Sequence, residues 1–120
     1  MSSDLIMLFE AGGTGGWGTN ACANNTVTVG AWQYLTYAFD KSNRRIIFYK
    51  NGVPTTQSVI TTSANIDTSN PSFYIGAYVG ASYGMRGQLG LIKVFNSTLN
   101  AGQVLTDYNT KCAEFGLNPI

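Results

Sequence analysis

Histidine is absent from this 120-residue sequence, which removes the side chain most often used as a general base and as a metal ligand. Charge is also scarce, because charged residues make up 11% of the chain, against about 25% in an average globular domain. Seven basic residues balance six acidic ones, so the net charge is +1. We therefore expect no nucleic-acid partner and no acidic substrate, since both require a marked excess of positive charge.

Long apolar segments are missing as well. The run LIMLF at residues 5–9 is shorter than the core of a signal peptide and has no lysine or arginine before it. A membrane-spanning helix needs about 20 apolar residues. We expect no membrane insertion and no ordinary secretion signal, unless a leader precedes residue 1 in the native protein.

Cysteine occurs only twice, at Cys22 and Cys112. A disulfide between them would close almost the whole chain and stabilise it by about 4 to 5 kcal/mol on the chain-entropy model. Two buried or half-buried thiols are the alternative, and the sequence does not choose between them.

Thr, Asn, Ser and Gly take the place of the missing charge, as is typical of an extracellular or particle-borne β-protein. At this length we expect one domain over residues 1–120, able to bury about 65% of its unfolded surface. The Gly-rich segment 12–20 predicts a loop around Trp17, because it opens no helix and lacks a phosphate-binding motif. Apolar runs and alternation predict strands over residues 4–10, 24–29, 32–39, 44–50, 53–61, 72–78 and 87–96.

The central run from Ala31 to Gly52 predicts a long hairpin with its loop at residues 40–43. Antiparallel pairing would then place Phe39 opposite Arg44 and Tyr37 opposite Ile46. One face is apolar and suits the space between two sheets; it carries Leu35, Tyr37, Phe39, Ile46 and Phe48. The other face is mixed and aromatic, so it predicts either a ligand surface or a face covered by a loop or a neighbouring chain; it carries Trp32, Tyr34, Thr36, Ala38, Ile47 and Tyr49.

Two local signals follow the hairpin. Asn51-Gly52 predicts a type I′ turn, and Pro54 places the start of the next strand at an edge. Near the C-terminus, Asn100 with Gln103 predicts a helix cap. Val104, Tyr108 and Cys112 then recur at helical spacing, which predicts one short amphipathic helix that ends near Gly116 and docks at the edge of the sandwich.

Four motifs occur in order between Trp32 and Tyr108: AWQYLTYAFD, IIFYKNG, YIGAY and GQLGLIKVFNSTLNAGQV. Their order and spacing resemble the concanavalin A-like lectin/glucanase superfamily, and the chain looks like a short, laminin-G-like member from a virus or phage. The resemblance implies an all-β fold, a jelly-roll β-sandwich of two antiparallel sheets with a short C-terminal helix over Ala101 to Cys112. It also implies binding of carbohydrate or protein surfaces, sometimes through calcium, and glycan hydrolysis in some branches.

The hydrolytic branch of that superfamily carries alternating carboxylates on one strand, because retaining glycosidases need two carboxyl groups about 5 Å apart. No ExDxE pattern occurs here, Glu10 and Glu114 are isolated, and Gly90 and Leu91 stand where family members usually carry acidic residues. We expect no enzyme activity; a relic glucanase is the least favoured interpretation.

Calcium would require six to eight oxygen ligands with substantial negative charge. Asp40 and Asp67 are weak candidates, and for Asp40 the alternative is a turn residue that accepts backbone N–H bonds. We therefore expect no cofactor.

The chain is short for the superfamily, and a sandwich without its first strands would expose an edge that invites pairing with another chain. The leading hypothesis is a non-catalytic decoration or attachment module on the surface of a phage or virus particle, held by protein neighbours as a homo-oligomer or on a capsid. The alternative is a secreted lectin-like module that binds surface glycans by aromatic stacking. Its candidate ligand-binding residues are Trp17, Trp32, Tyr34, Tyr49, Tyr78 and Tyr83.

Overall fold

The computed structural model describes residues 8–11, 18–21, 27–40, 42–59, 75 and 85–120. Within these ranges no helix is long and apolar enough to cross a membrane. The elements are strands β1 (Leu8–Ala11), β2 (Gly18–Ala21), β3 (Leu35–Asp40), β4 (Arg45–Lys50) and β5 (Val53–Val59), helix α1 (Ala101–Lys111) and a 3-10 turn at Cys112–Phe115.

Strands β1 and β2 form an antiparallel pair in which Leu8 lies opposite Ala21 and Ala11 lies opposite Gly18. β1 confirms the end of the strand predicted at 4–10 and extends it by one residue. β2 corrects the last three residues, 18–20, of the loop predicted at 12–20, and residues 12–17 lie outside the described ranges. Its sequence, GTNA, has little intrinsic strand preference, so the strand depends on its backbone pairing with β1.

Strands β3, β4 and β5 form an antiparallel sheet in that order. The predicted hairpin is confirmed, but its register is wrong by two residues, because Phe39 lies opposite Ile46 and Asp40 lies opposite Arg45. Arg44 has a φ of 49° and belongs to the turn, which moves the loop one residue along the chain. A shift of two residues preserves which side chains share a face, so the two predicted faces survive.

The turn at Asn51-Gly52 is confirmed, since both residues have positive φ, 50° and 79°. β5 is one of the two outer strands of this sheet among the described strands, and Pro54 lies opposite Tyr49 directly before a bulge near the start of β5. This agrees with the predicted edge position of Pro54, because a proline cannot donate to a ladder.

Helix α1 has the predicted capping box. The Asn100 side chain accepts from the Gln103 N–H, and the Gln103 side chain accepts from the Asn100 N–H. Val104, Tyr108 and Cys112 are buried, and Gly116 ends the following 3-10 turn with a φ of 67°. The helix lies over a face of the sheet rather than at its edge, because Val104 shares a buried cluster with Ala38 and Tyr49.

Burial corrects the predicted core face. Ile46 and Phe48 of β4 are fully buried, but Leu35 and Tyr37 of β3 are 37% and 42% exposed. Tyr49, on the opposite face of β4, is 2% exposed beneath α1. The middle strand β4 is therefore buried on both faces, with Ile46 and Phe48 on one and Tyr49 on the other.

Two predicted strands are not formed in the described residues. Residues 27–29 of the segment 24–29 lie in a bend and turn, closed by Gln33, whose side chain bonds both the N–H and the C=O of Thr28. Residues 87–96 join no ladder with the described strands. Side chains hold this segment instead, through Lys93 and through the close approach of Gly90 to Phe115. Of the predicted strand 72–78 only Ile75 is described, and it lies in a bend.

Candidate functional site

The aromatic face of the sheet is the first candidate ligand surface. Tyr49 lies in the cluster with Ala38 and Val104, where 2% of it remains exposed. A ring with no free face cannot stack on a ligand, so the structure removes Tyr49 from the candidate ligand-binding residues and makes it part of the core.

Tyr34 anchors helix α1 to the sheet. Its hydroxyl donates to Asp107 Oδ2 at 2.5 Å, and its ring meets Tyr108 edge to face with centroids 5.9 Å apart. Its backbone is also held, because the Tyr34 N–H donates to Asn51 Oδ1 at 2.9 Å. Burial raises the pKa of Tyr34, and the hydrogen bond to Asp107 and the charge of that carboxylate raise it further. These contacts commit most of this side chain to the interior.

Asp107 joins three parts of the chain. Its second oxygen accepts from Lys93 Nζ at 2.5 Å, so one carboxylate links α1, the entry of β3 and the segment before the helix. Burial opposes the charged form of Asp107, but the hydrogen bonds from Lys93 and Tyr34 and the charges of Lys93 and Lys111 outweigh it and lower its pKa. Sequence reasoning missed this residue, because its partners lie 14 and 73 positions away.

Trp32 is the one exposed aromatic residue among the three sheet-face candidates. It is 41% exposed, and its ring lies 5.3 Å from that of Phe115 at a tilt of 50°. Phe115 in turn packs against Gly90, where an added Cβ would lie 2.2 Å from the ring. Because Gly90 has no side chain, the Phe115 ring can pack against the backbone at this position and contact Trp32 from there.

Asp40 stabilises the turn between β3 and β4, as the alternative to a calcium ligand predicts. Its carboxylate accepts from the Asn43 N–H at 3.1 Å, from the Asn43 side chain at 2.8 Å and from Arg45 Nε at 3.1 Å. The hydrogen bonds from Asn43 and the nearby Arg45 hold the pKa of Asp40 below its ordinary value. In the part of the chain that the structure describes, no three His, Cys, Asp or Glu residues come together as they would around a metal ion.

Cys112 is a buried free thiol whose Sγ lies 3.5 Å from the Asn109 carbonyl oxygen. For this residue the structure therefore agrees with the buried-thiol alternative. Several predicted residues lie outside the described ranges: Trp17, Cys22, Asp67, Tyr78 and Tyr83.

A family model of the concanavalin A-like lectin/glucanases superfamily, of laminin G type, matches residues 2–105. The chain belongs to this superfamily, whose members are jelly-roll β-sandwiches. The antiparallel sheet β3-β4-β5 and the C-terminal helix fit that assignment.

The chain is similar to the crystal structure of an S-layer domain-containing protein (residues 221–444) from Clostridium thermocellum ATCC 27405, with a TM-score of 0.58 and 16% identity. The similarity covers 78% of this chain and 46% of the other, so this chain spans about half of that structure. At this identity the likeness concerns the fold. No curated protein matches the chain.

Proposed function

We infer that the chain is a non-catalytic binding module displayed on a surface, more narrowly a decoration or attachment component of a phage or virus particle that is held by protein neighbours. The superfamily supports a binding role. The similarity to an S-layer domain-containing protein motivates the surface location.

The state of the carboxylates carries the non-catalytic part of the proposal. Three carboxylates have described side chains, and each pairs with a different cation: Asp40 with Arg45, Asp107 with Lys93 and Glu114 with Lys111. A retaining glycosidase needs two carboxyl groups that face each other across the sugar bond at about 5 Å. Carboxylates that hold a turn, a helix and a helix end are not arranged for that chemistry.

The test combines sedimentation velocity over a range of protein concentrations with a reducing-sugar assay on β-glucans. We expect concentration-dependent self-association, or incorporation into particles when these are supplied, and no release of sugar. A chain that stays monomeric and enters no particle contradicts the attachment proposal. Sugar release that Glu10→Gln abolishes contradicts the non-catalytic one.

A lectin-like module is the second candidate, and the exposure of Trp32 favours it. A tryptophan that is 41% exposed and supported from behind by Phe115 can offer a ring face to a sugar. On a glycan array, Trp32→Ala should lose binding, and Tyr37→Ala, a change at a residue of similar exposure (42%) on the opposite face, should retain it. Binding that depends on Trp17 or Tyr83 instead would move the proposed site from Trp32 to those residues.

A further inference from the structure

A shallow open groove runs along the outer side of α1. One side is formed by Phe95 and Leu99 from the segment before the helix, and the other by the helical residues Gln103, Thr106 and Thr110. Phe95 is 46% exposed, and Thr106 and Thr110 are both exposed. The groove thus combines an apolar wall with a polar one, and its described lining does not include Trp32.

The hydroxyls of Thr106 and Thr110 both donate their hydrogen to carbonyl groups within the helix. Thr106 Oγ1 donates to the Gly102 carbonyl at 2.9 Å, and Thr110 Oγ1 donates to the Thr106 carbonyl at 2.7 Å. A hydroxyl has one hydrogen, so once it is donated the oxygen can only accept. Since the helix rises 1.5 Å per residue, these two acceptors repeat about 6 Å apart along the groove.

Gln103 adds a donor at one end of the same wall. Its side-chain oxygen accepts from the Asn100 N–H at 2.8 Å as part of the helix cap. This fixes the orientation of the amide and leaves its NH2 group to donate.

The described lining of the groove carries no unpaired charge. Asp107 is the only charged residue among the described residues that line it, and its carboxylate already pairs with Lys93 and accepts from Tyr34. This part of the lining offers no opposite charge to a phosphate or to a strongly charged peptide and is complementary to an uncharged ligand.

An extended polypeptide presents N–H groups on one edge at every second residue, about 6.6 to 6.8 Å apart. This repeat is close to the spacing, about 6 Å, of the two hydroxyl acceptors along the helix axis. We propose that the groove binds an extended, uncharged segment of a neighbouring protein, whose alternate N–H groups donate to Thr106 and Thr110. A carbonyl of the segment accepts from Gln103, and an apolar side chain packs on Phe95 and Leu99. The proposal rests on the inferred attachment function and specifies the surface that would carry it.

An NMR titration of the full 15N-labelled chain tests the proposal, with an acetylated and amidated peptide of alternating Thr and Val as the probe. We expect amide shifts confined to residues 95–110. The double change Thr106→Val/Thr110→Val should weaken binding by about tenfold, the effect of losing two ordinary hydrogen bonds. Thr106→Ser/Thr110→Ser, which keeps both acceptors, should retain binding.

Two controls separate the groove from nonspecific contact. Thr55→Val removes a hydroxyl that also donates to a carbonyl, that of Phe48, but lies on β5, so it should bind the peptide like the unmodified chain. A probe that is N-methylated at every residue lacks the backbone N–H groups that the proposal requires, although it keeps its threonine hydroxyls, and it should not bind.

The proposal is overturned if the unmodified chain gives no shifts, if the shifts lie elsewhere, or if the double valine variant binds as the unmodified chain does. It is also overturned if a neutral glucan oligosaccharide, and not the peptide, produces the shifts at residues 95–110. Incorporation into particles that is unaffected by the double valine change would reject the groove and leave the attachment function standing.

Discussion

At the scale of single residues, Gly90 shows how a missing side chain shapes a surface. An added Cβ would meet Phe115 Cε1 at 2.2 Å and Cζ at 2.9 Å, and Phe115 is the ring that supports Trp32. We expect Gly90→Ala to lower the free energy of unfolding by about 1 to 3 kcal/mol, as overpacking does. Urea denaturation measures this loss, and Trp32 fluorescence should shift because Phe115 must move.

Gly87→Ala is the matched control for this change. An added Cβ there meets only Met85 Cε at 3.8 Å, which is an ordinary contact. Its free energy of unfolding should stay within about 1 kcal/mol of that of the unmodified chain. Equal losses at positions 87 and 90 would mean that the contact with Phe115 is not the cause.

Asp107 supplies a pH-dependent part of the stability. Its pKa is lowered from 3.8 in the folded chain, so the unfolded chain takes up the proton first as the pH falls. The stabilisation is fully present well above pH 3.8 and is lost as the pH falls below it. We expect Asp107→Asn to cost about 1 to 3 kcal/mol at pH 7, and this deficit should shrink toward pH 3 in urea unfolding followed across that range.

The variant Lys93→Met tests whether Lys93 is the partner through which Asp107 stabilises the fold. Because Lys93 donates to Asp107 at 2.5 Å, its removal should destabilise the chain at pH 7 and add little to Asp107→Asn in a double-mutant cycle. Additive losses, or an Asp107→Asn deficit that does not change with pH, would contradict the coupling.

At the scale of elements, the capping box fixes where α1 begins. Asn100 and Gln103 each accept from the other's backbone N–H, at 3.0 and 2.8 Å. Asn100→Ala should cost about 1 kcal/mol of stability, the usual cost of removing an N-cap side chain. Far-UV circular dichroism during urea unfolding measures this, and Asn96→Ala, at an exposed residue outside the helix, should have no effect.

The turn at Gly52 also packs directly against helix α1. Gly30 and Gly52 have nearly the same positive φ, 76° and 79°, but only Gly52 lies against α1, with Tyr108 Cδ1 2.9 Å from an added Cβ. Gly30→Ala should cost about 1 to 2 kcal/mol from backbone strain alone. Gly52→Ala should cost about 1 to 3 kcal/mol more because of the clash. Equal losses of stability for the two variants in thermal unfolding would contradict the predicted clash between an added Cβ at position 52 and helix α1.

At the scale of the whole molecule, the contacts of α1 predict that it unfolds together with the sheet. Val104, Ala38 and Tyr49 share one buried cluster, and Asp107 adds a polar link to Tyr34. In a Trp17→Phe variant, Trp32 is the only tryptophan, so its fluorescence reports on the contact with Phe115. The fluorescence and circular dichroism transitions in urea should coincide; loss of helix before the change in Trp32 would contradict a single cooperative unit.

In the candidate site, the sequence predicts the roles of residues whose partners are close in the chain, and it does not predict those of residues whose partners are distant. The turn role of Asp40 was an available alternative because its main partner, Asn43, is three residues away. The sequence pattern alone places Tyr49 among the candidate ligand-binding aromatics, because its burial depends on Val104, far along the chain. The sequence does not predict the linking role of Asp107, because the residues next to it in the chain give no indication that Tyr34 and Lys93 are its partners.

The sequence by itself determined the hairpin, the positive-φ turn at Asn51-Gly52, and the cap and buried stripe of α1. Each depends on backbone angles and hydrogen bonds among residues a few positions apart, so the local residues specify them. Only the tertiary structure decided the pairing of β2 with β1, the placement of α1 over the aromatic face and the burial of Tyr49. These features depend on which apolar surfaces meet, and burial is set by contacts between residues that lie far apart in the chain.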